Sequence, residues 1–497
     1  MKSAISAKTR SSLKRFVIDL IIIFAAWGPF YEAKLPSSDT IWADISPISD
    51  LSARIQSSRW LGYAWDYFCY FVMGYYPQRH YKLTLAIFLF ILAVCLYLLQ
   101  TIFLPLLEDK IKTPARKAAF YALTGLCFVN VLFSELLYFT ESFGIFQFSL
   151  LFCMLGCLSF TGKHYIRGMI SFLIMVCFYQ MGAPIASLVL CTWLILRYRC
   201  RFSRELLGKE ALYIAAPLAA GVIDYLSGQV IIPMLAARGM NYSSLKNLDG
   251  QAAGFIGFDM DQLEQLYTWS MELCGVPLLP AFVSIVLTLL VLAVFIRQRK
   301  TNELLTFLLY KAVSFALMFG MAAVTSVFMP RMLITFCIMQ ACGGLAALYF
   351  CPERSRAVSW VPLFYFLVQV FFIQIIIANR QASNSLDIVY AGQVLSKIDA
   401  YEEETGVKVT KIAVTEDLYS TDVYPQVHYA NGEVNRRNYG WNTRSFLIYE
   451  CGDYSRFELA DMDPETYNRY FAGRDWDEFN ADEQIIIEGG TCYVCVF

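Results

Sequence analysis

Apolar stretches of membrane-spanning length recur through most of this 497-residue chain. After an uncleaved first span at 16–30, they lie at 82–104, 118–138, 143–161, 211–235, 277–296, 304–328, 331–351 and 358–378. A backbone in hydrocarbon must satisfy its own hydrogen bonds, so stretches of this length predict helices. The chain is 57% hydrophobic and only 16% charged, which excludes the disordered and nucleic-acid-binding classes. The sequence therefore predicts an all-α polytopic membrane protein.

Basic residues are concentrated in alternate connecting segments. They are Lys110, Lys112, Arg116 and Lys117, then Lys163, His164 and Arg167, then Arg197, Arg199, Arg201, Arg204 and Lys209, then Arg297, Arg299 and Lys300, and finally Arg354 and Arg356. Because Lys and Arg are retained on the cytoplasmic side, we place these segments and the N-terminus inside. Residues 168–197 lie between two basic segments and must cross twice, with a turn at Gly182-Ala183-Pro184. The count is then about 11 transmembrane helices, with the C-terminus outside the cytoplasm.

This topology divides the chain into a transmembrane domain, 1–378, and a C-terminal extracytoplasmic domain, 379–497. Within the first, residues 31–81 form an extracytoplasmic loop whose aromatic residues suit helices lying in the membrane interface. The second holds 21 of the 41 acidic residues and 10 of the 40 basic ones. It begins with a helical pattern at 386–404, followed by strand-like runs at 409–415, 445–449 and 491–497. We predict a small α+β domain.

The loop 31–81 also carries the residues best suited to acid–base chemistry. Carboxylates at Asp39, Asp44 and Asp50 lie among aromatic residues at the membrane surface, followed by Arg59. Nearby hydrocarbon lowers the effective dielectric and strengthens their electrostatic interactions. Each carboxylate, taken alone, could instead have a structural role or be an ordinary solvated loop charge.

Several short segments appear in an order that resembles a known enzyme family. They are Ser38-Asp39-Thr40, Arg59-Trp60-Leu61, Phe139-Thr140-Glu141-Ser142, Phe178-Tyr179-Gln180, Asn241-Tyr242-Ser243 and Pro330-Arg331. In this order they resemble the bacterial membrane glucosyltransferases that modify O-antigens and other surface glycans, which are lipid-phosphate-sugar-dependent glycosyltransferases with the C-type fold. The resemblance extends over residues 10 to 378. Where that family often has glycine before the arginine, this chain has Ser58.

The resemblance implies transfer of a sugar, glucose in that family, from a polyprenyl-phosphate donor to a surface glycan with inversion at the anomeric carbon. The acceptor hydroxyl needs a general base, for which Asp39 is the first candidate and Asp44 and Asp50 are alternatives. The departing lipid phosphate needs a cation, for which Arg59 and Arg331 are candidates. Substrate-binding candidates are Glu141, Tyr179 and Gln180, although Tyr179 and Gln180 could instead be a polar pair in helix packing.

Two other functions remain open, a transporter or flippase for lipid-linked saccharides and a surface-glycan polymerase. A transporter would usually carry ionisable residues near the bilayer midplane and paired repeats, neither of which stands out in the sequence. The expected partners are the donor lipid, a glycan acceptor and the bilayer of the plasma membrane, with no nucleic acid. We predict no cofactor, although carboxylates at Asp39, Asp44 and Asp50 could bind a divalent cation such as magnesium or manganese.

Overall fold

The computed structural model describes residues 7–33, 36–239, 272–273, 276–277, 279–318, 334–416, 443–453, 455–474, 476 and 479–496. Helices make up most of these ranges, and a small sheet lies near the C-terminal end. The predicted coarse architecture, a helical protein with a C-terminal strand region, is therefore confirmed.

The helices before the sheet are numbered α1 to α16. They are α1 (Ala7–Trp27), α2 (Phe30–Ala33), α3 (Ser38–Ile45), α4 (Pro47–Gln56), α5 (Trp60–Tyr67), α6 (Tyr81–Leu107), α7 (Pro114–Leu126), α8 (Val131–Ser134), α9 (Phe143–Thr161), α10 (Tyr165–Phe178), α11 (Gly182–Arg197), α12 (Arg204–Ala236), α13 (Leu279–Arg297), α14 (Thr301–Met318), α15 (Ile334–Phe350) and α16 (Arg356–Thr405). Two short antiparallel strands of two residues each, Glu272–Leu273 and Val276–Pro277, precede α13.

Among the described residues, four helical segments are long and apolar enough to cross a membrane. They are Tyr81–Lys110, Thr140–Thr161, Arg204–Ala236 and Arg356–Thr405, and a pair bent by 40°, Pro114–Leu126 with Val131–Leu137, would make a fifth. Helices α10, α11 and α15 are apolar but shorter. The segments predicted as spans do contain helices, but the count of eleven is not confirmed.

The break between α10 and α11 lies slightly before its predicted position. The chain leaves the helix at Tyr179, whose backbone is extended, and α11 starts at Gly182. Pro184 lies inside the first turn of α11 rather than in the connection. Proline is tolerated there because the amide groups of a first helical turn have no partner within the helix.

The longest helix, α16, joins the membrane helices to the C-terminal domain without interruption. At about 1.5 Å per residue its 50 residues extend for about 75 Å. One face is buried along its whole length, from Val358 through Ile373 and Arg380 to Ile398. This helix ends at Gly406, which has a φ of 69° and accommodates the left-handed conformation that often terminates helices.

In its described residues, the C-terminal domain has four strands and three further helices. They are β1 (Lys411–Glu416), α17 (Thr443–Cys451), β2 (Glu458–Ala460), α18 (Pro464–Tyr470), α19 (Ala481–Gln484), β3 (Ile485–Glu488) and β4 (Thr491–Val496). The sheet has the order β2-β1-β4-β3, with β1 parallel to β2 and β4 and with β3 antiparallel to β4. Strands predicted at 409–415 and 491–497 are confirmed. The strand predicted at 445–449 is wrong, because this short apolar run lies in α17, and such runs do not distinguish a buried strand from a buried helix.

The C-terminal domain packs directly on the loop 31–81. Ile41 of α3 is fully buried in the domain core, together with Val394 of α16, Phe446 of α17 and Val494 of β4. The loop and the domain therefore share one hydrophobic core, to which α3 contributes Ile41.

Candidate functional site

Short helices in the loop 31–81 arrange its polar side chains. Ser37 begins α3 by accepting a hydrogen bond from the amide of Thr40, at 3.1 Å. Pro47 occupies the first turn of α4, where its fixed φ suits a helix start. Helices α3 and α4 thus start at local signals in the sequence, and residues of both helices contact the chain around residues 138–142.

Arg54 is the centre of a buried polar cluster at this position. Its Nε lies 2.9 Å from Asp66, and its Nη2 lies 3.1 Å from Asp50. The same Nη2 donates to the hydroxyl of Ser142 at 3.0 Å. All four side chains are buried. Helices α4 and α5 and the turn Thr140–Ser142 are joined through one guanidinium group.

Hydrogen bonds extend this cluster in two directions. The hydroxyls of Ser142 and Thr40 donate to the two carboxylate oxygens of Glu141, at 2.9 Å and 2.6 Å. On the other side, the hydroxyl of Tyr70 donates to Asp50 at 3.2 Å. We call the seven residues Thr40, Asp50, Arg54, Asp66, Tyr70, Glu141 and Ser142 the polar cluster.

The polar cluster contains more acid than base. Its three carboxyl groups face one guanidinium, and Asp66 Oδ1 has no hydrogen-bond partner among the residues that the structure describes. Burial opposes the charge of Arg54, but the carboxylates of Asp50, Asp66 and Glu141 outweigh it and raise the pKa of Arg54 above its ordinary value. Burial raises the pKa of Asp66, and Arg54 offsets this only partly because it is shared with Asp50. The arrangement favours a proton on one carboxyl group.

A second group of polar contacts lies where α10 breaks. The guanidinium of Arg59 sits 4.7 Å from the ring centre of Tyr179, a cation–π contact. Gln180 donates to Asp224 of α12 at 2.9 Å and to the carbonyl of Ser57 at 3.2 Å. We call Arg59, Tyr179, Gln180 and Asp224 the α10-break group.

The predicted catalytic aspartates occupy three different environments. Asp39 is exposed in the first turn of α3, and its charge acts on the neighbouring Glu141. Asp44 is buried and pairs with Arg79 at 2.7 Å. Asp50 belongs to the polar cluster. Of the three, Asp39 has the carboxylate that an incoming substrate can reach.

The predicted binding residues are brought together in part. Glu141 lies in the polar cluster, while Arg59, Tyr179 and Gln180 lie in the α10-break group. Arg331 and the segment Asn241-Tyr242-Ser243 lie outside the described residues. Within the described ranges, no group of three or more His, Cys, Asp or Glu residues is arranged to hold a metal ion.

Six residues of these groups were not predicted as site residues from the sequence, namely Thr40, Arg54, Asp66, Tyr70, Ser142 and Asp224. The pair Asp50 and Arg54 has the i, i+4 spacing of a helical ion pair, which offered a signal. Asp224 is an acid inside an apolar helix, which is also a recognisable signal. Asp66 and Tyr70 join the cluster only through tertiary packing, and nothing in their local sequence indicates it.

Together these features describe a helical protein with several helices apolar enough to span a membrane and with buried charged groups at one end of its helical bundle. Comparison with known protein families, with curated proteins and with solved structures finds no match.

Proposed function

We propose that this protein is a plasma-membrane glycosyltransferase that uses a polyprenyl-phosphate sugar as donor and a surface glycan as acceptor. In this proposal the eleven predicted spans place the polar cluster, the α10-break group and the C-terminal domain on the outer face. The observation that carries the proposal is the exposed carboxylate of Asp39 beside the buried polar cluster. Such a carboxylate can serve as the general base that an acceptor hydroxyl needs.

Asp39 acts as the general base. It takes the proton of the acceptor hydroxyl while the hydroxyl oxygen attacks the anomeric carbon, and the bond from that carbon to the phosphate oxygen breaks with inversion. Asp39 lies in the first turn of α3 with its side chain exposed, so an acceptor can approach it. Thr40, the next residue, bonds Glu141 and anchors this turn to the polar cluster.

Arg59 stabilises the departing lipid phosphate. Its guanidinium can offer two parallel hydrogen bonds to phosphate oxygens, and Tyr179 orients it from one side. Gln180 is placed beside it to contact sugar hydroxyls. Arg331 remains a further candidate for the phosphate from its position in the sequence.

The backbone at Ser58 supports the resemblance to the surface-glycan glucosyltransferases. Ser58 has a φ of 54°, in the left-handed region that glycine adopts most readily. This is the position at which that family often has glycine. The chain therefore keeps a glycine-like turn before Arg59 although the residue is serine.

Transfer by the purified full-length protein in detergent, with a panel of polyprenyl-phosphate sugars and a glycan acceptor, tests this proposal. We expect release of polyprenyl phosphate in step with sugar incorporation for one donor, glucose first. The proposal would be contradicted if no donor gave transfer with protein whose thermal melting curve shows that it is folded.

A flippase for lipid-linked saccharides is the alternative that a specific observation favours. The ammonium of Lys311 is buried in α14 without a hydrogen-bond partner among the described residues, and Asp19 of α1 is buried beside Gln100. Ionisable residues inside membrane helices often mark transport pathways. Movement of a fluorescent lipid-linked saccharide across proteoliposomes, without any transfer reaction, would favour this function.

A further inference from the structure

A cavity of about 650 Å³ lies at the end of the bundle opposite the polar cluster. Five helix ends meet around it, namely the C-terminal ends of α6, α9 and α11 and the N-terminal ends of α10 and α12. This is the end of the bundle that carries the basic connecting segments. The cavity shares no residue with the polar cluster or with the α10-break group.

The rim of the cavity is positively charged. Lys163, Arg197 and Lys209 line it together with a single acidic residue, Glu205. Lys209 donates to Glu205 and to the hydroxyl of Tyr198, both at 2.6 Å. Its positive charge therefore offsets the negative charge of Glu205. Lys163 and Arg197 are exposed, and neither forms a salt bridge within the described part of the chain. Two cations therefore remain for an anionic ligand.

The inner wall of the cavity is apolar and aromatic. Leu106, Leu158 and Trp193 line it, and the ring of Tyr213 stacks on Trp193 with centroids 6.4 Å apart. A free phosphate ion would gain nothing from such a wall. A ligand with an anionic head and a hydrocarbon tail would use both the cations and the wall.

We propose that this cavity binds an anionic phospholipid. The phosphate of the head group lies between Lys163 and Arg197, and an acyl chain lies along Trp193 and Leu158. Basic pockets between membrane helices are suited to anionic head groups, and arginine holds phosphate oxygens in a bidentate geometry. This inference is independent of the proposed sugar transfer, which concerns the other end of the bundle.

Native mass spectrometry of the full-length protein in detergent, titrated with phosphatidylglycerol or phosphatidylcholine, tests the proposal. We expect phosphatidylglycerol to bind at least about tenfold more tightly, since two direct contacts to the anionic head group are at stake. In the double variant Lys163→Gln with Arg197→Gln this preference should disappear. Both residues are exposed, so the variant should fold, which its melting temperature checks.

Arg167→Gln is the matched control, because Arg167 is an exposed cation near the start of α10 that does not line the cavity. It should keep the preference for phosphatidylglycerol. Equal loss in Arg167→Gln and in the double variant would show general surface attraction and overturn the proposal. Inorganic phosphate that competes at the same concentration as the lipid would overturn the lipid assignment, as would equal binding of the two lipids.

Discussion

Asp39 and Asp44 differ in the one property that decides whether a carboxylate can act on a substrate. Asp39 is open to solvent, whereas Asp44 is buried and held by Arg79 at 2.7 Å. Chemical suitability alone did not separate them, because both are aspartates in the same loop. Accessibility favours Asp39 as the base.

Asp39→Asn should reduce sugar transfer by about 100-fold or more, because it removes the proton acceptor without a change in size. The measurement is turnover of purified protein with donor and acceptor. Glu32→Gln is the control, since Glu32 is an exposed acid of the same loop that pairs with Lys82 on the surface. Normal turnover in Asp39→Asn would move the assignment to Asp50 or Asp44.

Arg59→Lys should keep part of the activity and Arg59→Ala should lose most of it. Lysine preserves the charge but not the two parallel hydrogen bonds of a guanidinium, and charge on the phosphate grows toward the transition state. The loss should therefore appear in kcat as well as in KM. Near-normal kcat for Arg59→Ala would remove Arg59 from the mechanism, and the same two substitutions test Arg331.

Asp66 should make the protein less stable as the pH rises. Burial raises the pKa of Asp66 from 3.8 to about 7, so between these values the folded state holds a proton that the unfolded state has lost. Stability therefore decreases as pH increases through this window. We expect a lower melting temperature at about pH 8 than at about pH 5, and a smaller difference in Asp66→Asn. If the melting temperature of Asp66→Asn depends on pH as strongly as that of the wild type, Asp66 is not the group responsible. Glu32→Gln is the control and should keep the pH dependence of the wild type.

At the scale of elements, α16 links the membrane helices to the C-terminal domain. Its buried face continues past Arg380, which lies against Tyr138 and donates to the carbonyl of Pro36 at 3.4 Å. The same helix therefore contacts the start of the loop 31–81 and contributes Val394 to the domain core. A rigid helix can hold the domain over α3 in a way that a flexible linker cannot.

Ala382→Pro should interrupt this link. Ala382 is exposed within α16, so proline adds no buried clash there but removes a backbone hydrogen bond, at a cost of about 3 kcal/mol. We expect a lower melting temperature and faster proteolysis between the bundle and the domain. Ala382→Ser is the control and should behave almost as the wild type. Equal protease resistance in the two variants would mean that the continuous helix is not what holds the domain.

At the scale of the whole molecule, the two proposed sites lie at opposite ends of the helical bundle. Helix α3, which contributes Thr40 to the polar cluster, packs on the C-terminal domain, and the basic cavity lies among the connecting segments rich in Lys and Arg. Positive connecting segments are retained on the cytoplasmic side, so the topology prediction places the first site outside and the second inside.

A reporter enzyme that works only outside the cytoplasm should be active when it is fused after Phe497. A reporter that works only in the cytoplasm should be inactive at this position. A second reporter inserted in the connection after Arg197 should show the opposite preference. Activity of the first fusion in the cytoplasm would contradict the topology and would place the polar cluster on the wrong side for a surface glycan.

The sequence by itself predicted a mostly helical protein, helices apolar enough to span a membrane, and two strands of the C-terminal domain. These features depend on the length of apolar stretches and on the spacing of apolar residues, both of which are properties of short segments of the chain. It also directed attention to the polar residues of the loop 31–81, because charges among aromatic residues are a local feature. It misassigned 445–449, where a short apolar run carries no period that separates strand from helix.

Only the tertiary structure decided which polar groups meet. Arg54 of α4 bonds Asp66 of α5 and also Ser142, which lies 88 residues away in the chain, and Gln180 bonds Asp224 on another helix. Such contacts depend on how helices pack, and no local pattern encodes that packing. The difference between exposed Asp39 and buried Asp44 likewise arises only in the assembled fold, where Arg79, 35 residues away in the chain, pairs with Asp44.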